Sequence, residues 1–149
     1  MDETTYFKER LEGQIDWYSN KSSINKNYYL SLKLTEITLA AIIPFLSGMI
    51  EIHFVKYIIG LIGVTIAVLG GIQIINKYHE KWISYRTTSE TLKHEKYMYA
   101  TQSGPYDIAN NKAFNDFVVR IESLISKENS DWNNMIAKTD FKKEPNQNS

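Results

Sequence analysis

The residues that could do chemistry are few, and their spacing is wrong for most of it. His79-Glu80 begins like the helix of a zinc protease, but the position that must hold a second histidine is Ile83. Glu90 and His94 stand four apart, so on a helix they share a face and could both reach one cation. A carboxylate-bridged metal site in a helical bundle needs a second Glu–His pair, and the chain has none. The two therefore read as solvated residues of a helix face. His53 has no partner nearby in sequence, and Gly70-Gly71 lies inside an apolar run rather than in a phosphate-binding loop. Cysteine is absent, which removes thiolate ligands, thiol nucleophiles and disulfides together. No catalytic residue, metal or cofactor is expected, and enzymatic activity is not expected.

Charge and composition narrow the remaining classes. Seventeen basic and seventeen acidic residues cancel, so the basic excess of a nucleic-acid binder is missing. With seven glycines and three prolines in 149 residues, long helices are favoured over a turn-rich β fold. That length suits one domain, or one membrane hairpin with a modest soluble part. The charges are unevenly spread and almost vanish between Ile37 and Ile75. The first 33 residues hold only scattered apolar positions among charges, unlike a secretory signal peptide. The first apolar segment is expected to stay in the mature protein.

Nineteen uncharged residues run from Tyr57 to Ile75, and eleven of them are Ile, Leu or Val. As a helix the run is about 28 Å long, close to the roughly 30 Å thickness of a bilayer core. Each of those eleven favours insertion by about 0.3–0.6 kcal/mol at the helix centre, which outweighs one terminal glutamine. A buried helix of a soluble protein would carry a polar face, and this run has none. The fourteen uncharged residues from Ile37 to Ile50 are short for a span and contain Pro44. Extended back to Tyr29 they reach spanning length by taking in Lys33 and Glu36, which can pair at i, i+3. Tyr28 and Tyr29 fall where an interfacial aromatic belt would lie. Transmembrane helices are thus expected over residues 28–52 and 55–77, joined by a very short loop. Lys21, Lys26, Lys33, Lys77, Lys81, Arg86 and Lys93 flank the terminal side, against Lys56 alone in the loop. That bias puts both termini in the cytoplasm of a multi-pass protein of the cell (inner) membrane.

Outside the spans the pattern is helical, giving an all-α fold. Phe7, Leu11, Ile15 and Tyr18 make one apolar stripe, so residues 1–27 read as a cytoplasmic helix. Trp82, Tyr85, Ser89 and Leu92 follow three- and four-residue steps along a cytoplasmic extension of the second span, residues 78–103. Gly104-Pro105 reads as its stop, the glycine at C′. Asn110 or Asn111 can cap an amphipathic helix over residues 110–137, with Phe114, Phe117, Val118, Ile121, Leu124 and Ile125 on its apolar face. Trp132, Met135 and Ile136 extend that face, and residues 138–149 read as a disordered tail. The simplest assembly is an antiparallel cytoplasmic bundle beneath a two-helix hairpin. Its thin core predicts homo-oligomerisation.

Two sets of residues in the spans could carry function. Gly60, Gly63, Ala67 and Gly70, with Gly71, form a stripe of small residues that lets another helix approach closely, either the first span or a second subunit. Glu36, Thr65 and Gln73 are the polar candidates for lining a pore. Glu36 and Gln73 share a depth and could meet, although Glu36 could equally lift its head to the interface. For Thr65, a hydroxyl bonded to its own helix backbone is the alternative reading.

Several residues read together as a signature. Arg10 to Tyr18, with Trp17 and Tyr18 at its end, precedes the hairpin; Trp82, Tyr85, Arg86, Glu90, Leu92-Lys93 and Glu95 follow it, and then Gly104-Pro105-Tyr106, Phe114, Glu122 and Trp132. Their order around two spans resembles the SLATT family of bacterial two-transmembrane domains, in the branch known as a domain of unknown function. The resemblance implies a pore-forming or membrane-perturbing effector of bacterial conflict systems, triggered by a separate upstream signalling protein or nucleotide signal. Membrane lipid and further copies of the chain are the other expected partners; nucleic acid is not. The contrasting reading is a non-conducting membrane scaffold whose cytoplasmic bundle holds a partner at the membrane; on either reading the signature is expected as a folding determinant of that bundle ahead of a ligand site.

Overall fold

The computed structural model describes residues 2–49, 51–106 and 112–141, apart from the side chains of Trp132 and of residues 135–141. The proposed cap at Asn110 or Asn111, the side chains of Trp132, Met135 and Ile136, and the tail from Lys142 lie outside what is described. All regular structure within it is helical, as expected. The order is α1 (Glu3–Thr5), a π-helical turn (Tyr6–Leu11), α2 (Glu12–Ser47), α3 (Val55–Asn76), α4 (Tyr78–Ala100), a 3-10 turn (Gly104–Tyr106) and α5 (Ala113–Phe141). Helix α5 therefore reaches four residues into the stretch read as a disordered tail.

The helix ends have local causes. Asp2 caps the first turn by accepting the Thr5 N–H at 3.3 Å. Helix α2 runs through Pro44, whose missing N–H leaves the Ala40 carbonyl without its helical donor, and stops at Ser47. The second apolar helix does not run on into α4 as one uninterrupted rod, which corrects the sequence expectation. Lys77 takes a left-handed conformation (φ 49°) and its N–H bonds the Gln73 carbonyl at 3.0 Å, an αL cap between α3 and α4. Neither glycine nor proline marks the break. The stop of α4 is also corrected: the left-handed C′ residue is Gln102 (φ 52°), two positions before Gly104. Gln102 N–H bonds the Tyr99 carbonyl and Ser103 N–H the Met98 carbonyl, the paired bonds of a Schellman motif. Gly104 is needed one step later, in the following turn, with φ 62°.

Two compact units are distinguished, Met1–Ser19 with Arg86–Ser149, and Asn20–Tyr85. The first has a conventional core. Leu11, Ile15 and Tyr18 from the predicted stripe, Ser89 and Leu92 from α4, and Phe117, Ile121 and Ile125 from α5 are all buried. Phe117 is its centre, stacked on Phe7 (5.1 Å) and Tyr99 (4.6 Å) and edge-on to Tyr6 and Tyr106. The second unit is the reverse. Its side chains from Leu34 to Ile75 are mostly exposed and apolar, Phe45 by 74% and Ile75 by 80%. Two helical stretches, in Glu3–Ser47 and Val55–Tyr106, are long and apolar enough to cross a membrane, and no residue of either apolar window is buried.

Candidate functional site

Along α3, Val55, Ile59, Ile62, Ile66, Leu69 and Gln73 are less exposed and recur in three- and four-residue steps; Thr65, Gly70, Gly71 and Asn76 are also only part-exposed. At about 100° per residue the recurring positions form one seam. The small-residue stripe is centred roughly a third of a turn away from it. A Cβ added at Gly60, Gly63, Gly70 or Gly71 would meet nothing within 4 Å. Of the two partners considered for the stripe, the first apolar helix, α2, therefore has no atom lying against these glycines; Ala67 in the same stripe is exposed.

At the terminal end of the seam a polar cluster forms. Gln73 Nε2 donates to Glu36 Oε2 at 3.0 Å, and Lys33 Nζ donates to the same oxygen at 3.1 Å. The two residues suspected of meeting do meet, with Lys33 as the third member. Thr65 is apart from them: its hydroxyl donates to the Leu61 carbonyl at 2.9 Å, the backbone-bonded alternative. Below the cluster lies a stack of rings. Tyr28 stacks on Tyr78 at 5.4 Å, Tyr29 lies 4.8 Å from His79 and 6.2 Å from Trp82, and Lys26 sits over the Trp82 ring at 5.8 Å. Ser22 donates to the Trp82 carbonyl at 3.3 Å. Tyr85 is half-buried.

The remaining signature residues belong to the unit built around Phe117. Trp17 is edge-on to Tyr18 at 4.9 Å and stays 46% exposed, whereas Tyr18 is buried and donates its hydroxyl proton to Glu128. Arg86 and Lys93 both pair with Glu90, at 3.4 and 3.1 Å, on the exposed face of α4. The two cations hold the Glu90 carboxyl below its ordinary range, Lys93 by its hydrogen bond first. Glu95 differs from these because it is buried: Arg120 Nε binds one oxygen at 2.8 Å and the Tyr106 hydroxyl donates to the other at 2.7 Å. Burial, then this bond to a carboxylate, pushes the Tyr106 hydroxyl up.

A matching arrangement went unread in the sequence. Arg10 grips Glu122 with two N–H bonds, at 3.0 and 2.7 Å, and the Tyr6 hydroxyl adds a third at 3.1 Å. The Arg10 bonds hold the Glu122 carboxyl below its usual range against the opposing effect of burial. Each site joins one carboxylate to one arginine and one tyrosine, and each ties α5 to another helix. The available clue was a charge beside an apolar stripe: Glu95 follows Leu92 by three, and Glu122 follows Ile121 directly. Among the described residues no group of three His, Asp or Glu side chains could hold a metal ion.

A family model described as "Protein of unknown function (DUF4231)" matches residues 13–113, two thirds of the chain. The chain belongs to this family. The DUF4231 match takes in both apolar helices, the Lys33–Glu36–Gln73 cluster and every signature residue from Trp17 to Glu95. Arg10, Arg120 and Glu122 fall outside the DUF4231 span. No curated protein and no solved structure matches the chain.

Proposed function

We propose that the protein is a two-span protein of the bacterial inner membrane, with both termini cytoplasmic, that oligomerises and forms or opens a pore in a conflict response. The observation that carries the membrane part is that most large apolar side chains on both helices between Leu34 and Ile75 are exposed, with none buried in either apolar window. Each large aliphatic side chain left in water forgoes about 1.5–3 kcal/mol relative to burial, and more than ten are left this way. Lipid removes that cost. Contacts between the helices fall in reverse order along the chain, Ser22 with Trp82, Tyr28 with Tyr78 and Glu36 with Gln73, as expected of an antiparallel hairpin. In the other unit Glu12 with Lys96 and Ile15 with Ser89 support an antiparallel cytoplasmic bundle in the same way.

The effector role rests on the resemblance to SLATT domains, and the open glycine stripe supports assembly. Purified protein reconstituted into dye-loaded liposomes tests it. Leakage that grows with protein density, and that Gly63→Leu abolishes without blocking insertion, is the expected result. Inserted, oligomeric protein that never leaks, with or without candidate nucleotide signals, would remove the pore. A second reading, a non-conducting scaffold, draws on two observations. Thr65 already bonds its own backbone, and a groove of about 620 Å³ lined by Phe7, Lys8, Lys96 and Tyr99 could hold a partner. Stable co-purification of one partner without growth arrest on induction would favour it.

A further inference from the structure

The ring stack at the terminal end of residues 20–85 does more than fill the gap between helices. Five lysines gather at that end, Lys21, Lys26, Lys33, Lys77 and Lys81, against two acids, Glu36 and Glu80. Glu36 is already bound by Lys33 and Gln73. The loop end carries Lys56 against Glu51 and is balanced. Rings hold the charged end together: Lys26 is seated over Trp82, Trp82 against His79 and Tyr29, and Tyr28 against Tyr78.

Apolar surface begins within one turn of these charges. Ile74 and Ile75 are the most exposed large hydrophobic side chains among the described residues, at 76% and 80%, and Lys77 stands two positions after Ile75. On α2, Leu34 and Ile37 (62% and 55% exposed) border Lys33. An ammonium group and a bare aliphatic surface less than about 5 Å apart along a helix match the join between a phosphate and its acyl chains. A zwitterionic headgroup brings its own ammonium into this field and gains little. A net negative one gains on every lysine it faces.

We propose that this collar of lysines and stacked rings selects anionic phospholipid, of the phosphatidylglycerol type, from the cytoplasmic leaflet. The inference rests on the membrane-spanning reading above and adds to it a preference among headgroups. The full chain, reconstituted in phosphatidylcholine vesicles, is probed with spin-labelled phosphatidylglycerol or phosphatidylcholine. The motionally restricted fraction is then compared between the two labels. The label with the anionic headgroup should be favoured by about fivefold for each lysine engaged, and raising the salt should erase the difference. The triple substitution Lys26→Gln, Lys77→Gln, Lys81→Gln should bring the ratio near one, the corresponding arginine triple should restore it, and Lys56→Gln should leave it unchanged. Equal restriction of both labels by the native protein, or a preference insensitive to salt, overturns the collar alone. No restricted component with either label overturns the membrane reading as well.

Discussion

Glu95 and Glu122 sit in similar company yet differ in what holds them, and burial decides the difference. Glu95 is 3% exposed, so Glu95→Ala leaves the buried Tyr106 hydroxyl without its acceptor, at a cost of about 1–3 kcal/mol. Arg120 is half exposed and can turn to water in that variant, whereas Arg120→Ala leaves the buried Glu95 carboxylate without its cation and should cost more. Thermal melts of the two variants in detergent check that order. For Glu122 the lever is pH. Its folded carboxyl lies below the ordinary value of 4.5, mainly through the Arg10 hydrogen bonds, so its contribution is complete above that value. As pH falls through the depressed folded value the contribution disappears. Both partners are 40% exposed, which limits the pair to about 1 kcal/mol. Wild type should therefore lose more stability than Glu122→Gln on acidification below about pH 4.5, and the two curves should converge at the acid end. Parallel curves from pH 7 downwards would mean the Arg10 grip contributes nothing.

At the level of elements, apolar period and length were readable directly. The Phe7–Leu11–Ile15–Tyr18 stripe and the Phe117–Ile121–Ile125 face became the core of one unit because period-3.6 patterning needs no knowledge of a partner. The Lys33–Glu36 pair and the Glu36–Gln73 contact were readable from shared depth. Breaks were not. Lys77 and Gln102 take left-handed conformations that glycine favours, and a lysine or glutamine gives no local sign of it. The partners of Glu95 and Glu122 were equally hidden, because Arg120 and Arg10 come from other helices. The Gln102 cap carries a prediction: glycine there removes the side chain's clash in the left-handed region. Gln102→Gly should stabilise by up to about 1 kcal/mol and Gln102→Val should destabilise by a similar amount, read as opposite shifts in melting temperature. At Gly104 the opposite holds. An added Cβ would stand 2.6 Å from the Met98 methyl at φ 62°, so Gly104→Ala should destabilise.

For the molecule as a whole, the absence of cysteine makes topology easy to measure. Single cysteines at Asp2, Glu51 and Gln102 can be exposed in intact cells to a thiol reagent that does not cross membranes. The proposed orientation expects labelling at position 51 only, with the other two reacting after permeabilisation. Labelling at all three would contradict it. The seam and the glycine stripe lie on different sides of α3, so folding and assembly should separate at this scale too. Ile66→Ala should weaken the pairing of helices within one chain, whereas Gly63→Leu should leave that pairing intact and shift cross-linked oligomers to monomer.

The left-handed residue between α3 and α4 has a mechanical consequence. An unbroken helix carries torsion along its axis, because each turn is clamped to the next by backbone hydrogen bonds. At Lys77 the ladder is thinned to two bonds, its own N–H back to the Gln73 carbonyl and the Lys81 N–H to its carbonyl, both 3.0 Å, and the φ/ψ pair there can relax towards the ordinary right-handed well. Twist applied to the apolar helix would be dissipated at this swivel, while an axial pull would pass through. A signal crossing this point would travel as displacement in preference to rotation.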